Sequence, residues 1–423
     1  MAAISGSKPS SYRWVIEVML FLILMAQAVA WLNPAPILSH IAGSLHLGLG
    51  EAGLVVSIVA VCMCVFSLGS GWLSEKFGAR NTAVIGVWAM AAGLILAGFA
   101  HSFGSLLGCR ILQGIGYGLV MAPLATFMMG WFPVGEWAYI NMANSSAPFI
   151  GFALIFAFYP VVFELTGKSW NLTFEYTGIL LGIVAILWTV LGREHESGHA
   201  EAGGAHGAVG KSTLSEVIRR RDVQLIAVAL WGSVWTFEIY TTFLPIYLHN
   251  ARGFSLAEGA QLVAILPLTA AFAGIGAGLA TALVGLRKPF LWPLQFLMYL
   301  GALGAAFLPS PTLVLISMIL FGIGTSGPLS ATYTTMMELP GMTPVKMGSA
   351  FGAVWGVTFA GAFISPFLGG AIADKIGLLP VMIIFACSVL AATFALYLLP
   401  ETGPRAHKAE PPVIKSAKDS AAG

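Results

Sequence analysis

A chain of 423 residues in which 58% are hydrophobic and 9% charged cannot be an ordinary soluble protein, where about 25% of residues carry charge. No water-soluble fold covers that much apolar surface, so a lipid bilayer must cover it. The net charge of +2 points to no particular partner, and no nucleic-acid partner is expected.

Apolar runs of roughly 18 or more residues, enough to cross a ~30 Å hydrocarbon core, recur along the chain. They fall at 14–33, 51–72, 82–100, 104–128, 139–162, 175–192, 223–248, 258–284, 289–308, 312–335, 347–370 and 378–399. Continuous runs without strict alternation mean helices, since only helices and closed barrels satisfy the backbone in lipid. Taken from a cytoplasmic amino terminus, twelve spans place sixteen of the twenty Lys and Arg residues on the cytoplasmic side. That bias follows the positive-inside rule. The chain is therefore expected in the plasma membrane, the inner membrane if bacterial, with both termini cytoplasmic. Cys62, Cys64, Cys109 and Cys387 all lie within spans, so no disulfide framework is implied.

In chain order, residues 1–13 form the amino-terminal segment. The first span has no cleavage site behind it and reads as a retained helix; it carries Gln27 and Trp31 and ends in WLNPAP. Between spans two and three lies GWLSEKFGAR, 71–80. Its Gly71 and Gly78 let helix ends pack closely, Glu75 sits where a helix dipole stabilises a carboxylate, and Lys76 and Arg80 also serve orientation. Span four contains RILQGIG, 110–116. Arg110 lies about six residues, or ~9 Å, below the outer end and has no charged neighbour within 25 residues. An ionised side chain at mid-span costs about 2.5–3.5 kcal/mol on insertion scales, so it needs a reason. Arg110, Gln113 and Tyr117 follow i, i+3, i+7 on one face.

Span five carries NMANSSAPFIG, whose Asn141, Asn144, Ser145 and Ser146 are polar for a span, and whose Pro148 and Gly151 bend or loosen it. Residues 14–192 form one group of six spans. The stretch 193–222 is polar, rich in Gly and Ala, and reads as a partly disordered cytoplasmic linker. Its His195, His199 and His206 have no Cys or carboxylate cluster to complete a coordination shell, so no metal is expected. Residues 223–399 form the second group. There Trp231, Trp235, Glu238 and Thr242 follow i, i+4, i+7, i+11, with Glu238 about ten residues, ~15 Å, below the outer end. Span eleven has small-residue packing with Gly352 and Gly356, and Trp355 reads as an aromatic cavity wall or as packing. Residues 400–423 read as a polar, disordered tail.

The two groups resemble each other. ILQGIG at 111–116 recurs as ILFGIG at 319–324, Pro36-Ile37 as Pro245-Ile246, and GWLSEKFGAR at 71–80 aligns with GLATALVGLR at 278–287. Offsets of 208, 209 and 207 residues argue for duplication. At the Arg110 and Gln113 positions the second copy has Met318 and Phe321. Common packing therefore explains the glycines but not the arginine.

The loop at 71–80 resembles the Gly-x-Leu-x-Asp-Arg/Lys-x-Gly-x-Arg/Lys signature of the major facilitator superfamily, with Glu75 in place of Asp. Arg110-Ile-Leu-Gln-Gly-Ile-Gly resembles its second motif, Arg-x-x-Gln-Gly-x-Gly. Over about residues 13–400 the resemblance implies an all-α membrane protein. Two six-helix bundles, related by a pseudo-two-fold axis, would rock about a midplane cavity lined by helices 1, 4, 7 and 10. It implies that Glu75 latches the bundles and favours the outward-facing state. With Ala282 and Leu283 in place of Glu75 and Lys76, the second copy has lost that latch. Ala-Pro-Phe-Ile-Gly at 147–151 partly resembles the drug-exporter motif Gly-Pro-x-x-Gly, with Ala147 where Gly is expected. WLNPAP and MMELPGMTP resemble the cyanate and nitrate–nitrite branches.

The function expected is secondary active transport of a small organic solute by alternating access, favoured as proton-coupled anion symport. Arg110 would bind an anionic group bidentately with Gln113, Tyr117, Gln27, Trp31, Trp235 and Trp355 around it, while Glu238 takes up the proton. The competing role for Arg110 is to brace helix ends, with Glu238 as its partner. A proton-coupled drug or metabolite exporter is the alternative; a non-transporting membrane sensor or assembly partner is the other. No enzyme is expected, because no metal cluster, nucleophile–base pair or phosphate loop occurs. No cofactor is implied, and the chain is expected to act as a monomer.

Overall fold

The computed structural model describes residues 11–133, 136–194, 211–342 and 344–405, and these contain helices and no strand. In chain order the helices are α1 (Arg13–Leu32), α2 (Leu38–Leu45), α3 (Leu49–Phe77), α4 (Ala79–Gly98), α5 (Phe103–Trp131), α6 (Trp137–Leu165), α7 (Trp170–Leu191), α8 (Lys211–Ile218), α9 (Arg221–Arg252), α10 (Leu256–Val284), α11 (Trp292–Phe307), α12 (Pro311–Glu338), α13 (Pro344–Ile376) and α14 (Leu378–Leu398). Among the described residues, twelve stretches are long and apolar enough to cross a membrane. An even number of crossings puts the start of α1 and the end of α14 on one face, here called the terminal face.

Several helices outrun the apolar runs that announce them. Span seven, read as 223–248, extends through Arg252 and is closed by Gly253 at φ 73°. The first span is broken rather than lengthened. Pro34 and Pro36 stop α1, a 3₁₀ turn covers Ala35–Ile37, and α2 continues to Leu45. The linker histidines His195, His199 and His206 lie outside the described residues, while 211–218 form α8. The tail departs from expectation at its start. Residues through Arg405 are packed, with Thr402 Oγ1 donating to Glu338 at 2.7 Å and the Arg405 amide to the Gly285 carbonyl at 3.2 Å.

The duplication reappears as matched helix-end clamps. After α3, Gly78 turns the chain at φ 84°. The Arg80 amide then donates to Glu194 at 2.7 Å and its guanidinium to the Gly192 and Thr189 carbonyls at the end of α7. In the second half, Gly285 turns at φ 69°, and the Arg287 amide donates to Glu401 at 2.8 Å. Its guanidinium pairs with Glu338 at 2.7 Å. Glu401 thus stands 207 residues after Glu194, as Arg287 does after Arg80. The second loop lacks an acid at the Glu75 position but keeps this clamp. Burial pushes the Glu401 carboxyl up. Backbone amides of Arg287, Lys288, Thr402 and Gly403 outweigh that and hold it below the usual carboxylate range. A carboxyl held low stabilises the fold above its unfolded titration and ceases to do so as pH falls through the folded one. Glu401→Gln is therefore expected to lower the melting temperature at neutral pH, and the difference from wild type is expected to vanish in acid.

The bundles meet where α3 packs on α13 and α6 on α10. At the face opposite the termini the first contact is closed. A side chain at Gly53 would run into the Pro366 carbonyl, and one at Gly370 into the Leu49 carbonyl. Asp374, near the end of α13, accepts from the Leu49 amide at 2.9 Å and the Gly50 amide at 3.1 Å, and so caps the amino end of α3 across the bundle boundary. Asp374→Ala is expected to open this face more often, read as faster labelling of cysteines placed beside it by a membrane-impermeant reagent. Unchanged labelling would show that the glycine contacts alone hold it shut.

Candidate transport site

The site begins with a helix end that proline has stripped of donors. The last carbonyls of a helix have no intrahelical partner, and Pro34 removes the amide that would otherwise serve Ala30. Arg110, fully buried on α5, supplies what is missing. Its Nη1 donates to the Ala30 carbonyl at 2.6 Å and its Nη2 to the Trp31 carbonyl. Nε reaches the Val55 carbonyl of α3 at 2.8 Å and Nη2 the Val56 carbonyl at 3.3 Å, while Nη1 also donates to Gln113 Oε1. All five guanidinium N–H groups have protein acceptors. The carbonyl end of a helix is the place where a cation is favoured, which answers why a guanidinium stands in this apolar span. Among the described residues no ion pair joins Arg110 to Glu238. Bidentate binding of a solute by Arg110 is unavailable in this conformation, because every donor is engaged.

The same network fixes three buried amides. Asn33 Nδ2 donates to the Val29 and Ala30 carbonyls at 3.0 Å and to Gln113 Oε1 at 3.3 Å. Gln113 Oε1 thus faces donors from both Arg110 and Asn33. A flipped amide would set N–H against N–H, so Gln113 Nε2 must point elsewhere as a donor, and it has no protein partner. Gln27 Nε2 donates to the Tyr117 carbonyl at 3.0 Å, leaving Gln27 Oε1 as an unmatched acceptor. The Trp31 indole N–H is also unmatched. Buried polar atoms without partners are uncommon in folded proteins and call for an explanation.

Glu238 lies on α9, 1% exposed, with Oε2 lacking any partner. Thr242, one turn on, has an unmatched hydroxyl. Tyr117 of the other bundle is buried as well. A chain of aromatic contacts crosses between the bundles beside this pair. Trp31 meets Tyr117 edge-on at 5.9 Å and Phe152 of α6 at 6.0 Å, and Phe152 meets Phe237 of α9 at 6.0 Å. Gln27, Trp31, Arg110, Gln113, Tyr117 and Glu238 are thus brought into one neighbourhood. Trp235 is not: it stacks on Trp231 at 5.3 Å and on Phe385 of α14 at 4.8 Å, within the second bundle. Trp355 packs on Phe359 at 5.0 Å and bonds Tyr333. Gly71 and Glu75 lie on α3, which puts Glu75 in the last turn of that helix and not at the amino end of the next, so the dipole does not favour its carboxylate. Their side-chain surroundings fall outside the described residues, as do those of Gly352 on α13. Lys76 is exposed over the Phe77 ring at 5.4 Å.

Sequence reasoning missed Asn33, Phe152 and Phe237. The proline immediately after Asn33 is the signal that marks it as a helix terminator. The two phenylalanines carry none, because they meet only across the bundle boundary. Twelve helices among the described residues are long and apolar enough to cross a membrane, and known proteins of similar sequence and shape are transporters. The chain is 28% identical over 276 residues to a hexuronate transporter of Bacillus subtilis, covering 62% of this chain and 63% of that one. It is 25% identical over 382 residues to a probable sulfoacetate transporter of Cupriavidus necator, covering 83% and 85%. A nitrite extrusion protein of Bacillus subtilis is 24% identical over 383 residues, covering 89% and 92%. In fold it is similar to an inward-facing, unoccupied bacterial homolog of the lysosomal transporter Spinster, at TM-score 0.76 and 17% identity over 93% of this chain and 98% of that one. The nucleoside transporter NupG superposes at TM-score 0.72 and 15% identity over 92% and 99%. Because the family model matches residues 20–354, the chain belongs to the Major Facilitator Superfamily and is a membrane transporter.

Proposed function

We propose that this transporter couples uptake of a small organic anion to protons, with Glu238 as the proton carrier. The observation that carries the reading is Glu238 itself, a buried carboxylate without a partner on one oxygen, at the centre of a helix that meets the other bundle. An ionisable group embedded there is costly and marks an ion path. Arg110 contributes a fixed positive charge through the helix end it braces, and Gln113 Nε2 and the Trp31 indole are the unmatched N–H donors beside it. A positive field with neutral donors suits a carboxylate or sulfonate, the groups borne by hexuronate and sulfoacetate. The positive-inside bias puts the terminal face in the cytoplasm. The closed α3–α13 face is then outward and the conformation inward-facing, in a monomer of the plasma membrane.

Proteoliposome uptake tests the reading with glucuronate, sulfoacetate and nitrite against a neutral hexose and a quaternary ammonium ion, with and without an inward pH gradient. Gradient-driven accumulation of an anion is expected. Accumulation of the neutral or cationic solute alone would overturn it. The engagement of all five Arg110 donors favours one other reading, in which Glu238 exchanges a proton for an exported neutral or cationic solute. In that case efflux driven by external acid appears in the same panel.

A further inference from the structure

The polar tract on α6 remains unexplained by the central site, and the structure shows what it faces. Asn144 Nδ2 donates, at a long 3.5 Å, to Oε2 of Glu17 on α1. Glu17 is 8% exposed, and its other oxygen is buried with no partner, as is Asn144 Oδ1. This is a second embedded carboxylate, four residues inside the terminal end of α1. Glu17, Leu24 and Trp31 recur at i, i+7 and i+14, so Glu17 lies on the stripe of α1 that reaches Tyr117 and Phe152, about 21 Å nearer the terminal face.

Its surroundings leave the charge uncompensated. One turn before it on its own helix stands Arg13, and just ahead of α6 stands Glu136; these two pair with each other at 3.1 Å. Beyond the end of α7, Arg193 lies over the Tyr12 ring at 4.8 Å. On α4, Arg80 is committed to the carbonyl end of α7. The terminal half of α3 carries Lys76, exposed over Phe77, and Glu75, whose surroundings fall outside the described residues; that of α5 carries no acidic or basic side chain. A structural acid would be expected to take one of these cations; among the described residues Glu17 holds only an amide.

We propose that Glu17 is a second proton site, the station through which protons pass between Glu238 and the terminal face. The O–H bond of protonated Glu238 breaks, the proton moves through water entering between the bundles, and an O–H bond forms on Glu17. That bond then breaks to release the proton to water at the terminal face, which leaves both groups as carboxylates until Glu238 takes up the next proton. Asn144 is a positioning residue that holds Oε2 and leaves Oε1 free to accept. The proposal rests on the proton-coupled reading above.

Infrared difference titration of the purified full chain, without any solute, tests the site itself. A buried carboxyl band is expected in wild type and in Glu238→Gln but reduced in Glu17→Gln. An unchanged band in Glu17→Gln would overturn the proposal. In proteoliposomes with glucuronate, sulfoacetate and nitrite tested singly, Glu17→Gln is expected to slow proton-driven net uptake on the order of a hundredfold, the usual scale for losing a proton-transfer group. Solute–solute exchange should persist, and Glu17→Asp should restore coupling. Asn144→Ala is expected to shift the internal-pH midpoint of net uptake. Equal loss of exchange and net uptake in a monodisperse Glu17→Gln protein would make the residue merely structural and end the proposal. If wild type moves solute without proton flux, the coupling reading fails first. If wild type couples and Glu17→Gln couples equally well, only the role of Glu17 fails.

Discussion

Arg110→Ala is expected to destabilise the transporter by about 1–3 kcal/mol, from one buried helix-end carbonyl left without a partner. The carbonyl is that of Trp31; the Ala30 carbonyl, which Pro34 has no amide to serve, keeps Asn33 Nδ2 as its one donor. Gln113 would lose one of the two donors that fix its amide. Arg110→Lys separates the bracing role from charge alone. An ammonium keeps the cation but cannot reach the end of α1 and both α3 carbonyls at once. Thermal unfolding in detergent is therefore expected to rank wild type above Arg110→Lys, and that above Arg110→Ala. A melting temperature unchanged in Arg110→Ala, together with lost solute affinity, would mean that Arg110 serves the solute directly.

Glu238→Gln is the second large effect. The substitution preserves shape and one hydrogen-bonding oxygen while removing the titratable proton. Wild-type vesicles given a pH difference of one unit have about 1.4 kcal/mol available per proton, enough for tenfold accumulation at one proton per solute. Accumulation in Glu238→Gln is expected to fall to equality across the membrane, with solute exchange continuing. Retained tenfold accumulation would exclude Glu238 as the carrier, and abolished exchange would make it a solute ligand rather than a proton site.

Much of this architecture was legible in the sequence because membrane insertion imposes patterns that one span can carry alone. The twelve spans and the isolation of Arg110 and Glu238 follow from where charge is absent, and the duplication from motifs that recur at near-equal offsets. The role of Arg110 was not legible, although both parts of it were. WLNPAP announces a helix end short of amides, and RILQGIG announces a buried cation. That the one caps the other depends on how α1, α3 and α5 pack, which no single-span periodicity specifies. Trp235 shows how far spacing alone reaches. Its spacing from Glu238 is one helical turn, yet its ring stacks towards Phe385 on α14, because a bulky aromatic beside the cavity stripe can turn into its own bundle. Asp374 and Glu17 stand near helix ends, where a carboxylate carries no special meaning in the sequence. Their meaning comes from partners 324 and 127 residues away.

The central claim is that a proton moves with the solute through Glu238. It is tested most directly by recording solute uptake and internal acidification together, with a trapped pH-sensitive dye, in vesicles containing wild type or Glu238→Gln. Wild type is expected to acidify the lumen in fixed proportion to the anion taken up, and Glu238→Gln to exchange anion with no acidification. Acidification in the variant at the wild-type proportion would contradict the account.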